Sequence, residues 1–325
     1  MSDVGDVATP GRRTMEVPAI VYRVAGIVLI AVALAVLSDA FLTVANLLNV
    51  LRQTALLFLI ASGLTLVVIA GGLDLSIGAN VGLSACLVAT AVQATGSVGV
   101  GILVGCASGT LVGVVNGALI AGLRLKPIIA TYGVMWILNG LTYWYMQGGT
   151  IYGFPEAFRQ IGSGYWLGVP VPVYLMALVL AVGVVFARLT TWGHQVYAMG
   201  ANPEAARLSG VPVTARLYLV YALSGAMGGI AGVVYLARLN SAEAGIGDAL
   251  LLPAIAAVLV GGTSLFGGLG SLPGTLIGAA MLTLVLNGMN LLVISSNWQP
   301  LVTGAIVLLA AGIDTVTRRR AEARG

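Results

Sequence analysis

Charged residues are so sparse in this chain that they leave long uncharged runs at 24–38, 53–73, 75–123, 127–155, 160–187, 217–237 and 249–313. A helix that crosses a bilayer needs about 20 predominantly apolar residues. The runs are therefore long enough to hold one or more crossings each. Only 8% of the residues are charged and 59% are apolar, against about a quarter charged in an ordinary soluble domain. Such a surface cannot stay dispersed in water, so the composition excludes a soluble enzyme, a disordered chain and a nucleic-acid binder. It predicts an all-α, polytopic membrane bundle.

Dividing the runs at their turn residues predicts about ten transmembrane helices. They fall near 20–38, 51–70, 76–94, 98–122, 127–146, 170–188, 214–237, 250–266, 272–292 and 298–315. Basic loops stay in the cytoplasm. With both termini cytoplasmic, Arg12, Arg13, Arg23, Arg124, Lys126, Arg188, Arg207, Arg216, Arg318, Arg319, Arg320 and Arg324 lie inside, and only Arg52, Arg159 and Arg238 lie outside. The expected organisation is a cytoplasmic tail over 1–18, a transmembrane domain over 19–316 with a cytoplasmic loop at 189–213, and a basic cytoplasmic tail over 317–325. The polar start, with Asp3, Asp6 and Glu16, is a poor signal-peptide leader, so the first span reads as an uncleaved anchor.

Glycine recurs at helical spacing. Gly101, Gly105, Gly109, Gly113 and Gly117 share one face, the pattern of a close helix–helix seam in lipid. A weak internal repeat is also present: Gly71-Gly72-Leu73, Gly78 and Gly82 have the spacing of Gly267-Gly268-Leu269, Gly274 and Gly278. Glycine-interrupted segments in corresponding positions point to transport pathways. Cys86 and Cys106 fall within helices and read as packing residues. Two aromatic or charged outside loops, 147–169 and 238–249, suit either an interfacial anchor or a partner's docking surface.

Conspicuous chemistry is missing. The single lysine, Lys126, is not in a phosphate-binding loop, and the single histidine, His194, can form neither a paired metal site nor a Ser–His relay. His194 reads as a solvated loop residue. No catalytic residue, metal site or cofactor is expected. Polar but neutral side chains are present within the predicted helices: Asn80, Asn116, Thr131, Trp136, Asn139, Tyr143, Asn287, Asn290 and Gln299. Each alone can be helix–helix glue; as a set they suit the path of an uncharged, hydroxyl-rich solute.

Two segments stand out. In Gly71-Gly72-Leu73-Asp74-Leu75-Ser76 the glycines permit a break, and Asp74 or Ser76 can cap the next helix. That reading competes with a gate or a coupling contact. In 189–213, Asn202 can cap, Pro203 suits the first helical position and Glu204 the first turn, while Gly210 and Pro212 stop the helix. The short helix is either an ordinary interfacial element or a lever between two spans.

At these residues the chain resembles the permease subunits of bacterial ABC importers of the ribose/simple-sugar type. The resemblance rests on Gly71 through Gly78, on Ile128 through Trp136 to Gly140, on Gly200 through Gly210, and on Leu259-Val260-Gly261-Gly262-Thr263-Ser264 through Gly274. It implies location in the bacterial inner membrane, two cytoplasmic ATPase subunits, a periplasmic sugar-binding protein and a second permease, identical or sister. It implies a pentose, hexose or polyol as solute, and lipid around the spans. It also implies that Asn202, Pro203, Glu204, Ala205, Ala206, Ser209 and Gly210 form the coupling helix. The stretch reads Glu-Ala-Ala-x-x-x-Gly, whereas the distal Ile-x-Leu-Pro of the broader importer class is absent at its usual spacing. The alternative class is a stand-alone ion-coupled transporter, which the scarcity of buried acids disfavours; a membrane enzyme is remote.

Overall fold

The structure, a computed structural model, describes residues 19–322; the expected tail 1–18 and the last residues of 317–325 lie outside the described residues. The α-helices, in order, are α1 (Ala19–Leu37), α2 (Val44–Ile69), α3 (Ile77–Thr95), α4 (Val98–Gly117), α5 (Pro127–Met146), α6 (Glu156–Ser163), α7 (Val171–Leu189), α8 (Thr191–Ala201), α9 (Pro203–Leu208), α10 (Val213–Leu239), α11 (Leu251–Val260), α12 (Leu272–Leu291) and α13 (Gln299–Glu322). Seven described helices, α2, α3, α4 (with its continuation to Gly122), α7, α10, α12 and α13, are long and apolar enough to cross a membrane. The apolar stretches Val21–Leu37 and Asp248–Val260 are shorter.

Local chemistry sets the ends. The hydroxyls of Thr43, Ser97 and Ser271 cap α2, α4 and α12 by accepting from Asn46, Val100 and Gly274 N–H, satisfying donors that a helix start leaves open. Gly96, at φ 66°, closes α3. The cap at Thr43 starts α2 seven residues before the expected 51, with Arg52 carried on the helix. Arg52 lies 4.8 Å over the Tyr165 ring and donates to Ser163 O at 3.4 Å. The expected span 250–266 is a helix of only 10 residues, because Gly261 and Gly262 end it, the latter at φ 80°.

The bundle is organised around α2, whose residues from Thr54 to Ile69 are all buried, with α10, α11, α12 and α7 around it. The regular glycines of α4 form the expected seam, and the partner is α10. A side chain at Gly109 would strike the backbone of Gly225 and Gly229; one at Gly229 would strike Gly105 and Gly109. Small residues four apart on both helices thus bring two backbones into contact, where dispersion forces act over many atoms. By contrast, α7 and α13 keep apolar faces open, with Leu178, Val182, Leu308 and Leu309 all exposed, as suits surfaces that meet lipid tails.

At one end of the bundle the two long loops pair with each other. Strands β1 (Ile151–Tyr152) and β4 (Ser241–Ala242) are antiparallel, with Ile151 opposite Ala242. Helix α6 follows, burying Phe158 beneath it and fitting Gly162 against the end of α10. Strands β2 (Tyr165–Trp166) and β3 (Val169–Pro170) form a second small hairpin.

The internal repeat acquires a physical meaning at α11. Gly247, just before α11, packs on Gly78 and Gly82 of α3, while Gly261, at its other end, packs on Gly274 and Gly278 of α12. The two copies of the repeat therefore grip the two ends of one short helix. Because the start of α3 is itself held beside Ser224, near the middle of α10, α11 begins inside the bundle.

Candidate functional site

The repeated Gly-Gly-Leu turns meet. Gly268 N–H donates to Ile69 O, the last carbonyl of α2, at 2.8 Å. Gly200, near the end of α8, fits against both partners so closely that a Cβ there would collide with Ile69 O and Gly268 N. Tyr197 adds a hydrogen bond from its hydroxyl to Gly270 O at 2.9 Å. Two turns from distant parts of the chain thus close on one glycine, two residues before Asn202.

From that point α9 extends to the surface. Asn202 Oδ1 accepts from Glu204 N–H at 3.1 Å and Ala205 N–H at 3.0 Å, and Pro203 occupies the first position, where its missing N–H costs nothing. Ser209 N–H returns to Ala205 O, and Gly210, at φ 83°, reverses the chain. Ala206 is buried with Val196, Met199 and Tyr221, whereas Leu208 is 79% exposed. Glu204 and Arg207 form an exposed ion pair at 2.6 Å, and the hydrogen bond to that carboxylate, then its charge, raises the Arg207 guanidinium above its usual value. Behind α9, Arg216 joins α10 to α8 by a 2.5 Å bond from Nε to Gln195 Oε1 and by stacking 5.1 Å over Trp192. His194 lies exposed, its Nδ1 2.8 Å from Thr190 O.

The first turn continues into a buried polar latch. Asp74, 1% exposed, accepts from Ser76 N–H at 3.0 Å and Ser76 Oγ at 2.6 Å through Oδ1, and from Ser224 Oγ at 2.9 Å through Oδ2. Asn116 Nδ2 donates to Ser76 Oγ at 2.7 Å and reaches Asp74 Oδ1 at 3.5 Å. The Thr131 hydroxyl accepts from Leu75 N–H at 3.1 Å and points its proton at Leu73 O and Pro127 O. Tyr221 packs its hydroxyl end against Gly72. Buried backbone groups outside a helix need partners: Thr131 of α5 serves Leu73 O and Leu75 N–H and Asp74 serves Ser76 N–H, while Asn116 of α4 and Ser224 of α10 hold the side chains of Asp74 and Ser76.

Of the residues singled out from sequence, Gly71, Gly72, Asp74, Ser76, Asn116 and Thr131 come together here. Asn80 lies between α3, α4 and α10, donating to Gly109 O and Gly225 O. Asn287 exchanges two hydrogen bonds with Asn46. Trp136 is exposed and edge-on to Tyr132, and Asn139 stands half-buried on the same helix, α5. Asn290 accepts from Gln299 Nε2 at 3.0 Å at the end of the bundle that carries α6. Ser224 is a member of the latch that sequence reasoning missed; one serine between Leu223 and Gly225 carries no periodic signal.

The chain is similar to known permease proteins along most of its length. The family model described as "Branched-chain amino acid transport system / permease component" matches residues 46–311. The ribose import permease protein RbsC of Bacillus subtilis is 40% identical over 291 residues, covering 89% of this chain and 90% of that protein. The ribose import permease protein RbsC of Escherichia coli is 40% identical over 295 residues, covering 90% and 92%. The galactose/methyl galactoside import permease protein MglC of Escherichia coli is 34% identical over 315 residues, covering 90% and 94%. No solved structure matches the chain. With most of its length matched in this way, the chain belongs to the permease component family of the branched-chain amino acid transport type.

Proposed function

We infer that this chain is the membrane-spanning subunit of an ATP-driven importer that carries a monosaccharide across the bacterial inner membrane. The observation that carries the reading is 40% identity to a ribose import permease along nine-tenths of both chains. Two ATPase subunits sit on the cytoplasmic face, a sugar-binding protein delivers solute on the other, and a second permease completes the path. Both termini are cytoplasmic, and about ten segments cross the bilayer, α5 and α1 among them.

In this reading α9, over Asn202–Gly210, is the lever on which the ATPases act. Its geometry supports the role: an exposed ridge of Glu204, Arg207 and Leu208 faces outward, and its root at Gly200 touches both Gly-Gly-Leu turns. Movement of α9 then shifts the ends of α2 and α11 together, with the Asp74–Ser76 latch as the gate. The face of α5 that carries Trp136 and Asn139 is richer in aromatic and amide groups than lipid favours, and it turns toward the second permease and the solute path. Reconstitution of the permease with its ATPase and binding protein in liposomes tests the function. ATP-dependent accumulation of ribose or galactose is expected; accumulation that follows an ion gradient without ATP would refute it.

A further inference from the structure

Helices α1 and α13 flank the end of α11 and leave a cleft of about 730 Å³. Leu259 and Val260 of α11 line it on one side, and Ile306 and Leu309 of α13 on another. Leu309 is 67% exposed and its neighbour Leu308 75%, so the cleft opens onto the apolar surface that meets lipid tails. This is the end of the bundle that carries α9, because the segment leaving α11 runs on to Gly268, whose N–H bonds Ile69 O beside Gly200.

Two charged side chains line this apolar space, Arg23 of α1 and Asp314 of α13, and among the described residues they form no ion pair. Arg23 is half-buried and has no hydrogen-bond acceptor among the described residues. Its guanidinium lies so close on Gly262 that a Cβ there would overlap it; the missing side chain seats the cation against the end of α11. Asp314 Oδ2 accepts from Ser264 Oγ at 3.0 Å and Leu265 N–H at 3.3 Å, whereas its Oδ1 has no donor among the described residues. The cleft thus holds a cation and a carboxylate oxygen, each open to a partner.

A charge on a spanning helix is costly in the bilayer unless something pairs with it. A simple anion would satisfy Arg23 and be repelled by Asp314, and a simple cation would do the reverse. The occupant that relieves both carries a negative and a positive group close together, on an apolar body that matches the hydrocarbon lining. A phospholipid whose headgroup joins phosphate to a primary ammonium has this form. Arginine forks onto two phosphate oxygens, the ammonium offers N–H donors to a carboxylate, and basic pockets between spanning helices hold lipid headgroups. A choline headgroup has no N–H for Asp314, and a glycerol headgroup has no positive charge. We propose that this cleft binds phosphatidylethanolamine from the leaflet at the α9 end, with its phosphate on Arg23, its ammonium on Asp314 and an acyl chain along α13. The lipid then braces the segment 262–268, and through Gly268 the root of α9. The proposal stands apart from the import reading, since its test needs neither solute nor ATP.

The full-length permease, freed of lipid in detergent, is titrated with phosphatidylethanolamine, phosphatidylcholine and phosphatidylglycerol of identical acyl chains and read by native mass spectrometry. Phosphatidylethanolamine should bind most tightly, a ranking that needs no variant to fold. Arg23→Gln is expected to weaken it about tenfold, the scale of one hydrogen bond to a charged group, while Arg23→Lys, which keeps the charge, loses less. Asp314→Asn keeps an acceptor for Ser264 and Leu265 and is expected to erase the preference over phosphatidylcholine. Equal binding of the three lipids, or tighter binding of phosphatidylglycerol, overturns the proposal, as does a ranking that survives both Arg23→Gln and Asp314→Asn. Phosphatidylethanolamine binding that appears only after residues 2–17 are deleted overturns it in favour of the chain's own tail. Loss of the paired permease in Arg23→Gln with lipid retained overturns it in favour of a second copy.

Discussion

The amide of Gly268 donates to the carbonyl of Ile69 at 2.8 Å, joining two turns almost two hundred residues apart in sequence at the root of α9. The same sequence, Gly-Gly-Leu, makes both turns, and Gly200 fills the angle between them. A rigid link of this kind lets one surface element displace two deep ones, since close-packed interiors transmit displacement instead of absorbing it.

Gly200→Ala is expected to damage that link. The added methyl would meet backbone atoms of Ile69 and Gly268, which cannot rotate aside as a flexible side chain can. Overpacking of this kind costs about 1–3 kcal/mol. The measurement is the thermal midpoint of the purified permease beside that of Gly140→Ala, where no atom lies within 4 Å of the new methyl. Equal midpoints for the two variants would contradict the tight joint.

The α4–α10 seam yields a second expectation. Gly109→Val and Gly229→Val each place branched carbons against the partner's backbone, so both should separate the helices and lose well over 1 kcal/mol. Because the two residues face one another, the double variant should cost less than the sum of the single changes. Additivity holds for independent sites and fails for contacts, and a double-mutant cycle on thermal midpoints reads the difference.

Much of this fold was legible in the sequence because membrane spans declare themselves by charge-free length, and a close seam by glycine at every fourth position. Both signals are local. The half-length of α11 was harder to read, since its apolar run continues past Gly261 without a charge and only the positive φ of Gly262 reveals the stop. The early start of α2 was hidden because Arg52 looks like a loop residue until Tyr165 and Ser163 provide its partners. Pairing of β1 with β4 joins segments ninety residues apart, a long-range contact with no periodic trace.

The site divides in the same way. Asp74, Ser76 and the α9 residues sit in compact motifs whose capping chemistry is written over a few positions. Ser224 lies on α10, an ordinary residue by itself. Only the packing of α10 beside the 70–76 segment brings it to Asp74, 150 residues away in sequence.

Asp74 permits a sharper experiment on the latch. Asp74→Asn keeps an acceptor oxygen for Ser76, whereas Asp74→Ala strips acceptors from Ser76 N–H, Ser76 Oγ and Ser224 Oγ in a buried setting. Each stranded donor costs about 1–3 kcal/mol, so the alanine variant should fall below the asparagine variant by roughly 2 kcal/mol or more. Thermal midpoints of the two proteins check the order. Were alanine the more stable replacement, the latch would not be the support of the 70–76 segment.

Asn202 separates the stability of α9 from its proposed work. Its side chain caps two N–H groups at the start of a six-residue helix, too short to hold its shape without such a cap. Asn202→Asp and Asn202→Ser retain an acceptor, while Asn202→Ala removes it at a cost of about 1 kcal/mol. That loss falls on a surface helix and should leave the thermal midpoint of the bundle almost unchanged, yet hydrogen exchange over 203–209 should quicken in the alanine variant alone. If α9 transmits force, ATP-driven uptake must fall with the same variant while the ATPases continue to hydrolyse nucleotide. Faster exchange with undiminished uptake would mean that α9 frays without consequence, and that the turns at Gly71 and Gly268 take their motion from another contact.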